Sequence, residues 1–234
     1  MKMLLCFVLT LVSFPLYGQA DYTTLLLLQS TASASTPNTN FFFWEDFDAH
    51  TNPWTPILGT GINLRFTVNP IQGSYSGSVS NDTFVYTYAT FSAKDVVYGK
   101  FRFRVDSEPT GDGARFTLSR VGVDDDMIIQ FRYTLGHVKV WHGNSASASS
   151  VGGTLPTDLG VNYYCWFKWQ KGTGANGVLD VYLSATDSRP ETPDCSIANG
   201  VSTSQPTALS LQAQSSGSLV IDEIQLSETG FPTP

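Results

Sequence analysis

The sequence predicts an all-β fold in which two antiparallel sheets pack as a jelly-roll sandwich. Three observations predict it. Apolar and polar residues alternate with a period of two in one segment after another, as in Lys100-Phe101-Arg102-Phe103-Arg104-Val105, and a strand sends successive side chains to opposite faces. Gly, Pro, Asn, Asp and Ser punctuate the chain between these segments. No segment keeps a helical period over three turns. Many short strands joined by glycine-rich turns indicate a sandwich or jelly roll.

The chain opens on a segment that reads as a secretory signal peptide. Lys2 is the positive n-region, and Leu4 to Tyr17 is an apolar run too short to span a bilayer. Gly18-Gln19-Ala20 supplies the small residues for cleavage after Ala20, leaving 214 residues (234 less 20) for a secreted, extracellular or periplasmic chain. Residues 21–40 read as a low-complexity linker, since Thr31 to Asn40 is all Thr, Ala, Ser, Pro and Asn. Leu25 to Leu28 interrupts it as a candidate edge strand. One domain is expected over residues 41–228, followed by a tail at 229–234.

Within the domain, strands are expected at 41–48, 62–68, 83–91, 97–106, 114–121, 127–134, 137–142, 161–171, 177–184, 207–213 and 217–227. Thr134-Leu135-Gly136 is a hairpin loop between two well-marked strands. Lys171 to Gly177 is a second glycine-rich turn. There is no internal repeat of fixed period.

Composition narrows the function. The mature chain carries 12 basic against 20 acidic residues, which argues against a nucleic-acid partner. Cys6 leaves with the signal peptide, so Cys165 and Cys195 form an even pair in an oxidising compartment and are expected to bridge. Such a bridge closes a loop of about 30 residues, for roughly 3–4 kcal/mol of stability. Asn81-Asp82-Thr83 is a glycosylation sequon at Asn81.

The scarce basic residues are not scattered. Six of the twelve fall on four alternating segments: Lys100 to Val105, Ile129 to Tyr133, Val138 to Trp141, and Trp166 to Trp169. With Phe101, Phe103, Ile129, Phe131, Val138, Val140, Phe167 and Trp169 turned to a core, the opposite face carries Arg102, Arg104, Gln130, Arg132, Lys139, Trp141, Trp166 and Lys168. Arginine and lysine recognise carboxylate or sulfate, and exposed tryptophan stacks on sugar rings. This set is the candidate ligand-binding face, with a polysaccharide or glycoconjugate as its partner. The plainer alternative is a row of solvated surface residues, whose long stems cover apolar surface and bind nothing.

Four segments together resemble the concanavalin A-like lectin/glucanase fold in its laminin-G-like branch. They are Trp44-Glu45-Asp46-Phe47-Asp48, then Val97 to Val105, then Tyr163 to Trp169 with its glycine-rich turn and Leu179 to Leu183, and last Ser218 to Ser227. The resemblance spans residues 41–228 and implies a jelly roll with one curved sheet presenting a concave surface. Members of that superfamily bind glycans, cleave them or serve as adhesion modules, so the fold alone does not choose.

Tyr98 to Phe116 also resembles the stretch before the catalytic strand of laminarinase-like glycosidases. That chemistry needs two carboxylates on one face, a nucleophile and an acid. The corresponding strand here, Met127 to Tyr133, contains no acid, and the mechanism is rejected. A polysaccharide lyase stays open, because Arg104, Gln130, Arg132, Tyr133, His137 and His142 are the residue types that neutralise a uronate and move protons. The Gln-x-His strand motif of such lyases is absent, since Arg132 stands two residues after Gln130. A non-catalytic glycan-binding or adhesion module is the preferred reading, and a structural surface or matrix protein without a small ligand is the third. Asp46, Asp48 and Asp222, at the two ends of the domain, are candidate ligands for a structural Ca2+, which takes six to eight hard oxygens. Asp124-Asp125-Asp126 is a second candidate loop.

Overall fold

The computed structural model describes residues 41–48, 54–58, 62–80, 85–107, 114–120, 127–134, 137–143, 151–213 and 217–232. All of them belong to one unit, Pro37–Pro234; the other, Met1–Thr36, lies outside the described residues, with the signal-peptide, linker and Leu25–Leu28 expectations. Asn81, His50, Asp124-Asp125-Asp126 and the tip of the Thr134 hairpin lie outside them too.

The described residues form two antiparallel sheets and no helix. In chain order the strands are β1 (Phe41–Glu45), β2 (Thr55–Leu58), β3 (Ile62–Phe66), β4 (Ser76–Ser80), β5 (Val85–Thr90), β6 (Val96–Ser107), β7 (Ala114–Ser119) and β8 (Met127–Thr134). They continue with β9 (His137–His142), β10 (Val151–Pro156), β11 (Asn162–Gln170), β12 (Gly177–Ser184), β13 (Cys195–Gly200), β14 (Ala208–Ala213) and β15 (Ser218–Ser227). The larger sheet runs β13-β12-β11-β6-β15-β4-β3, with β1 also paired to β15. The smaller runs β10-β9-β8-β7-β14-β5-β2. All eleven strands expected from alternation are present, and the jelly-roll sandwich is the fold found.

Alternation decides the core. On β6, Val97, Phe101, Phe103 and Val105 point between the sheets, where Phe116 of β7, Phe131 of β8 and Phe167 of β11 meet them. Phe101 stacks on Phe116 with centroids 4.4 Å apart, and Phe131 lies 5.3 Å from both Phe101 and Phe167. Each such ring contributes roughly 2–3 kcal/mol by leaving water. These contacts tie the middle strands of one sheet to those of the other, so the outer positions of both sheets are held at fixed places.

Four strands escaped the sequence reading: β2, β4, β10 and β13. Three of these, β2, β10 and β13, are sheet edges. An edge strand pairs on one side only and tolerates the Pro and Gly of Thr55-Pro56-Ile57-Leu58 and Val151-Gly152-Gly153-Thr154-Leu155-Pro156. β4 reads Ser-Gly-Ser-Val-Ser because its backbone is approached closely. A Cβ on Gly77 would stand 2.7 Å from the Phe47 ring.

The expected disulfide is not formed. Cys165 and Cys195 are free thiols. Cys165 of β11 is paired with Leu183 of β12, and Cys195 of β13 with Val181 of β12. A whole strand therefore lies between them. Two strand spacings of about 4.8 Å already exceed the Cα separation a disulfide spans.

Candidate functional site

The expected single basic face does not exist. Arg102, Arg104, Trp166 and Lys168 sit on β6 and β11 in the larger sheet; position 130, Arg132, Lys139 and Trp141 sit on β8 and β9 in the smaller. With the apolar partners of both groups turned to one core, the two halves occupy opposite outer faces of the sandwich. Alternation fixes which side of its own strand a residue takes; it does not fix the sheet to which the strand belongs.

On the larger sheet the cations are consumed within the protein. Lys100 is 3% exposed, with Nζ 2.6 Å from Asp187 Oδ1 and above the rings of Tyr164 and Trp166. Arg102 donates to Glu223 Oε2 at 3.1 Å and to Gln72 Oε1, and lies 4.7 Å over the Tyr164 ring. Arg104 donates to both carboxylate oxygens of Asp106, at 2.5 and 3.0 Å, and to the Asn69 carbonyl at 2.8 Å. Trp166, expected to stack on a sugar, is buried and stacked on Tyr164. Lys168 is half-buried and paired in register with Tyr98 and Asp180. Lys100, Arg102 and Arg104 are thus neutralised within this face.

The smaller sheet differs in composition. None of its seven strands contains Asp or Glu, although the chain holds 20 acidic residues. The register aligns Lys139, Arg132, Arg115 and Gln212 in one row across β9, β8, β7 and β14. The next row is Trp141, position 130, Thr117, Ser210 and Tyr88 of β5. Phe116, Phe131, Val140 and Leu211 face the core, so both rows face outward. Arg132, Lys139, Trp141 and Tyr88 are half-buried, while Arg115, Thr117, Ser119, Ser210 and Gln212 are buried. The outer face of the smaller sheet is therefore half-buried at these positions of β5, β8 and β9 and buried and polar along β7 and β14. Ser119 Oγ and Ser210 Oγ are 3.3 Å apart on that face. The Arg132 guanidinium carbon lies 4.9 Å over the Trp141 ring.

Arg115, Thr117, Ser210 and Gln212 were missed by the sequence reading. Their strands were recognised, but the polar positions of Arg115-Phe116-Thr117-Leu118-Ser119 and Leu209-Ser210-Leu211-Gln212 alternate just as clearly as the Arg-rich segments. Counting acids strand by strand would have separated these segments from β6 and β15.

Several lyase candidates lie away from this face. Tyr133 is a core residue, and Arg104 belongs to the other sheet. His142 is fully buried between the sheets, its ring against Gly177 and Gly200, where added Cβ atoms would stand 2.4 and 2.3 Å away. Its Nδ1 accepts from the Ser202 N–H at 3.3 Å, so Nε2 carries the proton and donates to the Gln170 carbonyl at 3.0 Å. Burial pushes this imidazole below its ordinary pKa. Arg132 and His137 remain on the strands of this face.

The acids at the domain ends hold backbone rather than gathering round an ion. Asp48 Oδ1 accepts from the Ser74 and Tyr75 N–H groups at 2.8 and 3.0 Å, and Asp46 Oδ1 from the Asp48 N–H at 3.1 Å. Asp222 accepts from Ser76 Oγ at 2.8 Å and from the Gln72 and Glu223 N–H groups. Burial nevertheless pushes Asp222 up to about 7, against the pull of those three donors. Among the described residues no three His, Cys, Asp or Glu side chains come together as a metal site.

Solved structures share this architecture. The chain is similar to an endo-β-1,4-glucuronan lyase from the fungus Trichoderma reesei, with a TM-score of 0.57 at 10% identity, over 81% of this chain and 96% of that one. It is similar to the globular domain of T. cruzi calreticulin, at 0.55 and 10% identity, over 81% of this chain and 88% of that one. It is also similar to the marine PL-14 alginate lyase from Aplysia kurodai, at 0.52 and 9% identity, over 83% of this chain and 99% of that one. No protein-family model matches the sequence, the laminin-G-like one included, and no curated protein matches it.

Proposed function

We propose that the chain is a secreted, non-catalytic glycan-binding module whose ligand site lies on the outer face of the smaller sheet. Its ligand is an acidic glycan. One observation carries the reading: a sheet without a single acidic residue, in an acidic chain, aligns Lys139, Arg132 and Arg115 in neighbouring register. Arginine and lysine recognise carboxylate and sulfate groups. Flanking Trp141 and Tyr88 supply amphipathic rings of the kind that pack on sugars. The solved structures of similar fold include proteins named for acting on glucuronan and alginate, which supports a glycan as the partner class.

The test is retention of the full chain by neutral and anionic polysaccharides at low and high salt, with ultraviolet absorbance followed for unsaturated sugar ends. Salt-sensitive retention by an anionic polymer, without absorbance, is the expected result. Rising absorbance would replace the reading with a lyase, and His137→Ala would then be the first variant to make. Silence in both channels would leave a structural or protein-binding domain.

A further inference from the structure

One cation on the acid-free sheet is left without a partner. Arg115 is 4% exposed, and both it and Arg132 are engaged within the protein. Lys139 is half-buried and has no hydrogen-bond, ion-pair or ring partner among the described residues. Elsewhere lysines find acids: Lys94 pairs with Glu228, Lys100 with Asp187 and Lys171 with Asp95. Lys168, unpaired on the opposite outer face, still has Asp180 beside it in register. Lys139 has no acid to meet on its own sheet, since none of the seven strands carries one.

The surface beside Lys139 is open. β10 is the last strand of the sheet, and it sets Gly152 opposite Trp141, Thr154 opposite Lys139 and Pro156 opposite His137. Gly153 and Leu155 turn to the core: Leu155 is buried, and a Cβ on Gly153 would stand 2.3 Å from Cys195 Sγ. Gly152, Thr154 and Pro156 therefore share the outer face with Lys139 and Trp141. Thr154 and Pro156 are exposed, and Gly152 brings no side chain to the indole. Directly opposite residues of an antiparallel pair have Cβ atoms about 4.5–5.5 Å apart, so the Lys139 ammonium and the Thr154 hydroxyl can reach the same anion.

Their chemistry sets what that anion is. An ammonium is a compact point charge with three donors and no preferred plane, and a hydroxyl donates or accepts. Neither asks for a planar partner, as an arginine fork does. A carboxylate and a sulfate satisfy the pair equally well. A neutral sugar brings no charge to it.

We infer that the β9–β10 edge is the anion subsite: Lys139 Nζ and Thr154 Oγ1 hold the acidic group of a glycan, and uronates and sulfated sugars are taken alike. The inference rests on reading this outer face as the glycan site, and it names the charge-bearing contact and the anions that qualify.

The experiment titrates the full chain with a polyuronate, a dextran sulfate and a neutral dextran of matched length. Lys139→Gln, Thr154→Glu and Lys168→Gln are titrated beside the wild type. Thr154→Glu puts a carboxylate opposite Lys139 at an exposed edge position, so the chain folds and the lysine gains a partner of its own; denaturant melts check each variant. Wild type is expected to bind both anionic polymers and to leave the neutral one. Lys139→Gln and Thr154→Glu are each expected to weaken both anionic polymers about tenfold, the worth of one charge-assisted hydrogen bond. Lys168→Gln, the same charge change on the opposite face, is expected to leave both within about twofold of wild type. Anionic polymers held as tightly by Lys139→Gln and Thr154→Glu as by wild type, or weakened as much by Lys168→Gln, would overturn the subsite and leave anionic glycan binding standing. Binding of only one of the two anionic polymers would overturn the indifference to anion type. No binding of any polymer would bring down the glycan reading itself.

Discussion

The Arg132 guanidinium carbon lies over the Trp141 ring, 4.9 Å from its centre, so one face of the tryptophan is already taken by the protein. Trp141 therefore acts first as a support that positions Arg132 beside Arg115 and Lys139. A cation over an indole contributes about 0.5–2 kcal/mol, more as water is excluded. Trp141→Leu should weaken retention by an acidic polysaccharide about threefold to tenfold through loss of this positioning. Trp141→Phe should restore part of it, because a phenyl face still attracts the cation. A Leu variant as tight as Phe would show that the ring plays no such part.

On the opposite face, Lys100 is a buried charge answered by Asp187 at 2.6 Å. Removing one partner of such a pair is far worse than removing both. Asp187→Ala should lower stability by about 1–3 kcal/mol, since it strands an ammonium that is 3% exposed beside an aspartate that is 35% exposed. Lys100→Met with Asp187→Ala should recover most of the loss. Denaturant melts measure both, and glycan retention should not change in either variant, because this face neutralises its own cations.

Gly99 is a core position emptied for an aromatic ring. A Cβ there would sit 2.1 Å from the Phe167 ring, and Phe167 is its ladder partner on β11. Gly99→Ala should destabilise by about 1–3 kcal/mol through overpacking. Phe167→Leu in the same chain should return part of that cost, and a double-mutant cycle reads the coupling directly.

What the sequence made legible follows from what alternation encodes. It placed eleven strands and set Phe101, Phe131 and Trp169 inward correctly, because burial on one side of a strand is a local property. It could not say that β6 and β8 lie in different sheets, because that depends on pairings far apart in the chain. Arg104 and Arg132 thus looked like neighbours and proved to be on opposite sides of the molecule. Edge strands with Gly and Pro, and β4 with its small residues under Phe47, carried too little pattern to be seen. The cysteine pair failed for a related reason: parity of count says nothing about the strand between two thiols.

Two buried titratable groups should tilt stability with pH in opposite directions. His142 is held neutral: its Nδ1 accepts from Ser202, burial lowers its pKa, and protonation would set two donors against each other. The unfolded chain binds that proton at about 6.5 and the native protein only at lower pH. Stability from this group is therefore complete above about pH 6.5 and is lost as pH falls below it. The other charged groups on the elements packed round the imidazole are engaged elsewhere. Lys171 pairs with Asp95, Asp180 accepts from Ser196, and Lys168 occupies the outer face of β11. Asp222 works the other way. Its carboxyl is pushed up to about 7 by burial, so between about pH 4 and 7 the native state holds a proton that the unfolded chain has released. Its contribution is present at low pH and is lost as pH rises to 7. The two slopes partly cancel in the wild type between pH 5 and 7, and single variants separate them. Asp222→Asn should make stability rise more steeply with pH in that window, and His142→Gln should make it rise less or fall. Melts at half-unit pH steps measure both slopes; parallel curves for wild type and both variants would show that neither group titrates differently on folding.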